Sequence, residues 1–237
     1  MLILSVLAVF VYLHNVGLPD SVKRMVTNEL KERRIYATFE TLKYKIHRGV
    51  VAEGIVLYQN ESREIEIFKA QTIDLDLDKT KLVRGVFEID SATVKQAQVS
   101  VPVANNIPNC PLFKLSNING QFTLSHKGEF ETNNGISADF EGIHFIFKGS
   151  LYNSSKEQRA KKPLSQEAAQ ARVDSYNKLI KLIRKIQWSE QSSPTIEIET
   201  HGDLAKVNAI ELNINCTALD LSYNRASVHN LGIQAQY

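Results

Sequence analysis

Residues 73–78 read Ile-Asp-Leu-Asp-Leu-Asp, an unbroken alternation of apolar and acidic side chains. Successive side chains of a β-strand point to opposite faces, so this stretch predicts a strand with one apolar and one solvated face. The alternation recurs in five later segments, at residues 97–101, 196–199, 210–215, 219–223 and 231–235. Strands that are apolar on one face only are typical of antiparallel sheets, because buried parallel strands are apolar on both faces. The pattern therefore predicts a mainly β protein built on an antiparallel sheet.

Two segments have helical periodicity: one precedes the strands and the other lies between them. The first follows the break at residues 17–19 and spans residues 20–34, with Asp20 as its N-cap. Its basic side chains either bind anionic headgroups or form a solvated face that caps the sheet: Lys23, Arg24, Lys31, Arg33 and Arg34. The second helix begins at Ser165 and is predicted to run to Trp188, either covering the sheet or lying on a membrane surface.

The N-terminus is apolar enough to predict a membrane anchor. Residues 1–13 carry no charged side chain, and only Ser5 and Tyr12 interrupt the apolar run. A helix over these residues spans roughly 20 Å, and its continuation to Leu18 approaches the ~30 Å of a bilayer core. We expect an uncleaved anchor; a buried core helix and a cleaved signal peptide remain alternatives. The side chains assigned to the bilayer are Leu2, Ile3, Leu4, Val6, Leu7, Val9, Phe10, Val11 and Leu13.

Five segments follow from these patterns. They are an anchor (1–18), an amphipathic helix with a first β block (19–152), a polar linker or loop (153–164), a second amphipathic helix (165–188) and a second β block (189–237). The last alternation is still running at Tyr237, so the sheet is expected to continue in a longer polypeptide.

The sequence offers little catalytic chemistry. Lys and Arg number 28 against 26 Asp and Glu, a net charge of +2, so no nucleic-acid partner is predicted. No phosphate-binding, zinc-protease or nucleophile-elbow motif occurs, and no cofactor is predicted. Asp74, Asp76 and Asp78 lack the glycine and glutamate of a calcium loop and are interpreted as a solvated strand face. Cys110 and Cys216 form either one bridge or two isolated thiols.

The order of features resembles the N-terminal part of AsmA-like proteins, the bacterial relatives of chorein-type bridge-like lipid-transfer proteins. An apolar helix and an amphipathic helix precede a Gly-Ile strand, an A-x-x-I-x-L-x-L strand, an L-x-x-G turn and an I-x-x-A-x-V strand. The matching residues are Gly54-Ile55, Ala70 with Ile73, Leu75 and Leu77, Leu82 with Gly85, and Ile89 with Ala92 and Val94. The resemblance covers most of the chain and is best over residues 1–151.

This resemblance implies a fold, a location and a function. The expected fold is mainly β with helices (α+β): an N-terminal membrane helix, then a long curved antiparallel sheet that forms a groove. The expected location is the bacterial inner membrane, as a single-pass protein with the β domain in the periplasm. The resemblance implies a non-enzymatic envelope protein that shields or transfers phospholipid acyl chains, with phospholipid or membrane and an envelope protein as partners.

Candidate lipid-facing residues are the apolar members of the alternating strands. They are Ile73, Leu75, Leu77, Val99, Val101, Ile196, Ile198, Ile210, Leu212 and Ile214. Each methylene removed from water contributes ~0.8 kcal/mol, so such a face could hold acyl chains without catalytic groups. The alternative is a structural or protein-interaction module of the envelope with a closed β core.

Overall fold

The computed structural model describes residues 17–32, 35–45, 49–77, 89–104, 107–124, 129–152, 165–188, 193–203, 205, 210–223 and 226–237. Two helices and twelve strands lie within these residues. The helices are α1 (Asp20–Glu32) and α2 (Gln166–Ile183). The strands are β1 (Tyr36–Thr38), β2 (Thr41–Lys45), β3 (Gly49–Tyr58), β4 (Glu66–Leu77), β5 (Ile89–Pro102), β6 (Leu112–Leu124), β7 (Phe130–Phe140), β8 (Ile143–Tyr152), β9 (Ile186–Trp188), β10 (Thr195–Asp203), β11 (Ile210–Tyr223) and β12 (Ala226–Gln236).

All twelve strands belong to one sheet in the order β1-β3-β4-β5-β6-β7-β8-β10-β11-β12, with β2 beside β3 and β9 beside β11. The prediction of an antiparallel sheet is correct for every pair except β8 and β10, which run parallel with Phe147 opposite Ile198. Between these two strands the chain forms α2, and a strand that follows such a crossover can enter the sheet in the parallel direction. Alternation within β10 could not reveal the direction of its neighbour.

A local reversal of the side-chain alternation, which we call the phase switch, keeps the apolar side chains of the strands on one face. In β3 the buried residues Ala52 and Ile55 are three positions apart, although residues two apart share a face in a regular strand. Gly54 lies between them with a φ of 62°, a left-handed conformation that reverses the alternation of side chains while the register with β4 stays unshifted. The strand therefore changes phase at Gly54, and Ala52 and Ile55 enter the same buried cluster.

Strands β5 and β6 also contain a left-handed residue near this level. The register places Gly54 level with Gln71, and Gln71 level with Gln96, which has a φ of 48°. Asn117 of β6 has a φ of 51°, and we call Gly54, Gln96 and Asn117 the phase-switch row. The Asn119 side chain accepts from the Gln96 N–H at 2.9 Å and donates to the Asn117 carbonyl at 2.8 Å. These bonds satisfy backbone groups at the irregular positions.

The two helices pack on the face that the phase switch makes apolar. Leu18, just before α1, and Val26 within α1 contact the cluster that contains Ala52 and Ile55. Both ends of α2 pack on the same face farther along the sheet. The N-terminal half contributes Ala169 and Val173 to a cluster with Val103 and Ala104, and the C-terminal half contributes Ile180 and Ile183 to one with Phe140.

This packing corrects the predicted fold class. The structure does not show a long curved β-groove, because α1 and α2 cover two parts of the apolar face that the prediction left open. The helices also differ in extent from the prediction. The structure ends α2 at Ile183, and residues 186–188 form β9 beside β11 instead of a last helical turn. The polar segment 153–164 and the basic residues Arg33 and Arg34 lie outside the described residues.

The predicted membrane anchor and location are also corrected. Within the described part of the chain, neither helix has the length and apolar content that crossing a bilayer requires. Both are amphipathic, with charged residues such as Lys23 in α1 and Lys181 in α2. A single-pass inner-membrane protein with a periplasmic β domain is therefore not supported. Residues 1–16 lie outside the described residues, and with them the proposed anchor positions Leu2, Ile3, Leu4, Val6, Leu7, Val9, Phe10, Val11 and Leu13.

The parallel pair β8–β10 makes Gly149 sensitive to any added side chain. Gly149 has a φ of 115°, and a Cβ atom there would overlap the backbone carbonyl of Thr200. We expect Gly149→Ala to lower the free energy of unfolding by about 3 kcal/mol or more. Gly232→Ala is the matched control, because nothing lies within 4 Å of its added Cβ, and we expect a change within about 0.5 kcal/mol. Urea unfolding of both variants measures the difference, and equal losses would contradict this account of the β8–β10 contact.

Candidate functional site

The predicted lipid-facing residues lie on one face of the sheet. Val99 of β5 is paired with Phe68, which packs under α1, and with Leu115, which packs under α2. Ile196 of β10 is paired with Phe145, which also packs under α2. Because directly paired residues share a face, the β4–β5 and β10–β11 candidates point to the same side as both helices.

The structure does not join these candidates into one surface. Strands β6, β7 and β8 separate β5 from β10, a distance of roughly 19 Å at the usual strand spacing. Over these strands α2 packs on Phe113, Phe140 and Phe145. On the β4–β5 side, Ile73 already packs against the cluster under α1. The candidates there whose side chains the structure describes are Ile73, Leu75, Val99 and Val101. Leu77 ends β4, and its side chain lies outside the described part of the structure.

The candidates on β10 and β11 form a separate patch. Ile198 is paired with Ile214, and Thr200 with Leu212, so the apolar side chains of the two strands are neighbours. All five candidates are half-buried: Ile196, Ile198, Ile210, Leu212 and Ile214. None of them enters a buried cluster formed by the described residues. No described helix therefore packs on this part of the apolar face.

Strand β12 extends the patch by residues that the sequence analysis did not select. Leu231, Ile233 and Ala235 are paired with Ala218, Cys216 and Ile214, respectively. Ile233 is 52% exposed. The alternation at residues 231–235 marked the strand, but its neighbours were needed to assign it to this surface. We call the eight residues Ile196, Ile198, Ile210, Leu212, Ile214, Leu231, Ile233 and Ala235 the open patch.

The opposite face of the sheet is polar. Beside the open patch, Lys148 of β8 forms an ion pair with Glu197 of β10, which raises the pKa of Lys148. Farther along β8, His144 Nδ1 lies 2.8 Å from Asp139 Oδ1. Burial raises the pKa of Asp139, but hydrogen bonds from His144 and Asn117 outweigh it, so the pKa lies below its ordinary value. Paired charges and hydrogen bonds therefore occupy this face, which suits contact with water.

One cluster on the polar face has the residue types of a nucleophilic triad. Ser150 Oγ lies 3.1 Å from His201 Nδ1, and His201 Nε2 lies 3.4 Å from Glu199 Oε1. All three side chains lie on the surface, and the His201 side chain is 47% exposed. Acyl transfer also needs donors aimed at a developing oxyanion in a water-excluded site, whereas the described residues leave His201 and Glu199 about half exposed. That the protein is not an enzyme stays a prediction.

The acidic and thiol candidates form no metal site among the described residues. Within that part of the chain, no group of three or more His, Cys, Asp or Glu side chains could hold a metal ion. Asp74 lies 3.7 Å from the Lys95 ammonium on the polar face, whereas Asp78 is outside the described residues. Cys110 and Cys216 are both free thiols. Cys110 Sγ accepts the Ala104 N–H at 3.1 Å, beside the N-terminal half of α2.

No protein-family model, no curated protein and no solved structure matches the chain. The resemblance to AsmA-like proteins therefore stays a hypothesis based on the residues that suggested it.

Glu53 on the polar face gives a pH-dependent contribution to stability. The Lys43 ammonium and the Thr41 hydroxyl each donate to Glu53 Oε2 at 2.7 Å, and together they lower the pKa of Glu53. A carboxyl whose pKa is lower in the folded state stabilises the fold above its unfolded pKa of about 4.3, and this stabilisation is lost as pH falls through the folded value. Urea unfolding should therefore show that Glu53→Gln reduces stability at pH 7 and that the difference from wild type shrinks near pH 3. An effect that grows on acidification would contradict this assignment.

Proposed function

We propose that the protein is a non-enzymatic lipid-binding protein that shields phospholipid acyl chains on the open patch. The observation that carries the proposal is a contiguous run of apolar side chains across β10, β11 and β12, on which no described helix packs. Apolar patches that reach the surface of a protein often mark binding surfaces for lipids or proteins, and here Ile233 is exposed while the patch residues of β10 and β11 are half-buried.

The free energy gained by burying acyl methylenes on the open patch is adequate for lipid binding. Transfer of each methylene from water contributes about 0.8 kcal/mol, so covering ten of them contributes about 8 kcal/mol. Association itself costs at least about 4 kcal/mol in lost translational and rotational freedom. The remainder supports reversible binding without any covalent or directional chemistry.

The alternation within β10 restricts a lipid to one side of the sheet. Ile196 and Ile198 belong to the open patch, whereas Glu197 lies between them and pairs with Lys148 on the opposite face. Moving this ion pair into contact with acyl chains would require desolvation of both charges. A lipid would therefore place its tails on the open patch and leave its headgroup beyond the edge of the apolar side chains. The resemblance to AsmA-like proteins also supports this assignment, because members of that family handle acyl chains on the apolar face of a sheet.

The second candidate is a protein-interaction module. It is favoured by the clusters under α1 and α2, which close two parts of the apolar face and leave less of it for lipid. In that case the open patch would bind the apolar surface of a protein. Purification with a stoichiometric protein and no phospholipid would favour this candidate over the first.

The test compares two aspartate substitutions on β11. Ile214→Asp introduces a charge in the middle of the open patch, and we expect it to reduce phospholipid binding about tenfold or more. Thr217→Asp is the matched control: Thr217 is exposed and lies on the polar face, opposite Thr195. The readouts are mass spectrometry of lipid retained by the full chain and uptake of phosphatidylcholine with a fluorescent acyl chain from vesicles.

The control should bind like the wild type, and circular dichroism should confirm that both variants are folded. Loss of binding in Ile214→Asp alone would support the open patch as the lipid site. Wild-type protein that neither retains nor takes up phospholipid, or equal binding by both variants, would contradict the proposal.

A further inference from the structure

Strand β12 leaves a regular row of backbone groups without a partner strand among the described residues. Tyr237 and Leu212 exchange both backbone hydrogen bonds, at 3.0 and 2.9 Å, so this pair is of the hydrogen-bonded type. The register continues without a shift from this pair to Thr217 and Gly232. Alternate residues of an antiparallel strand direct their backbone groups to opposite sides. The N–H and C=O groups of Gly232, Gln234 and Gln236 therefore point away from β11.

From Leu231 to Tyr237 this edge carries none of the usual protection against pairing. The eleven residues of β12 contain no proline and no Asp, Glu, Lys or Arg, and nearly all of them are exposed. The opposite edge of the sheet is different, because β1 has only three residues and the adjacent β2 carries Lys43 and Lys45. Long uncharged edges act as templates for an added strand.

We propose that β12 pairs antiparallel with β12 of a second copy of the chain, about a two-fold axis at Gln234. In this register Gln234 faces its own copy, and Gly232 faces Gln236. Each of these three pairs is of the hydrogen-bonded type and makes two backbone hydrogen bonds. The proposal does not depend on lipid binding.

The side chains favour a second copy as the occupant. Pairing about Gln234 places Ile233 opposite Ala235 and Leu231 opposite Tyr237, all on the apolar face. Ile233 is 52% exposed and Tyr237 is 84% exposed, so the pairing would cover apolar surface that is now in water. On the polar face only Gly232, Gln234 and Gln236 meet, and no like charges are opposed. The edge is thus complementary to itself, as a two-fold interface requires.

The backbone of β12 selects this register over the neighbouring one. A two-fold axis at Gly232 would bring Asn230 into the ladder, and Asn230 has a φ of 55°. A left-handed residue there interrupts regular pairing. The axis at Gln234 uses only the regular segment from Leu231 to Tyr237. Such a dimer would also bring the open patches of the two copies onto one continuous face.

Charge substitutions at the two-fold axis test the pairing directly. Gln234→Lys or Gln234→Glu would each place two like charges opposite one another, and we expect either variant to raise the dimer dissociation constant about fivefold or more. An equimolar mixture of the two variants should associate about tenfold more tightly than either alone, because opposite charges then meet. Gln236→Lys is the matched control. Residue 236 faces Gly232 of the second copy, so no like charges meet, and this variant should change the dissociation constant less than about threefold. Sedimentation velocity of the full chain provides the measurement.

A cross-linking measurement keeps the test independent of these charge effects. Residues in a hydrogen-bonded antiparallel pair have Cα atoms about 5.5 Å apart, a distance that a disulfide can bridge. Gln234→Cys should therefore form a covalent dimer on mild oxidation, whereas Gln236→Cys and the wild type, with its native Cys110 and Cys216, should not. A wild-type chain that stays monomeric over the concentration range of sedimentation would overturn the proposal. Dimers unaffected by Gln234→Lys, or a mixture no tighter than its components, would overturn it as well.

Discussion

The structure depends on the left-handed backbone at Gly54, Gln96 and Asn117. Without this phase switch, side chains on opposite sides of the row would point to opposite faces, since residues two apart share a face of a regular strand. With it, Ala52 and Ile55 of β3 contribute to a single cluster under α1. The left-handed residues of β3, β5 and β6 thus convert a broken alternation into one apolar face.

A single apolar face explains where the helices lie. Helix α1 and helix α2 each bury their apolar stripes on it, while the opposite face keeps ion pairs such as Lys148–Glu197 in contact with water. Helix α2 also lies in the crossover between β8 and β10, which accounts for the one parallel pair among the described strands. The open patch is the part of the apolar face on β10, β11 and β12 that neither helix reaches.

Local sequence predicted the local structure well. The alternation at residues 196–199 and 210–215 identified β10 and β11, and the Ser165 cap of α2 is present, with its side chain accepting the Ala168 N–H. The parallel pairing of β8 with β10 and the covering of the apolar face were not predictable, because both depend on contacts between distant segments. The selected site residues were therefore assigned to one continuous groove, whereas the structure divides them between the β4–β5 region and the open patch. Leu231 and Ile233 were missed because only their pairing with β11 places them beside the other residues of the patch.

The most direct test of this account is methyl NMR of the isoleucine-labelled full chain with a phospholipid that carries a nitroxide on its acyl chain. Isoleucine methyl groups sample buried and open parts of the apolar face, so the broadened signals locate the lipid. We expect broadening of Ile198, Ile214 and Ile233 in the open patch. We expect none of Ile55, which is buried under α1, or of Ile183, which is buried between α2 and the sheet. Broadening confined to isoleucines outside the open patch, or no broadening at all, would contradict it.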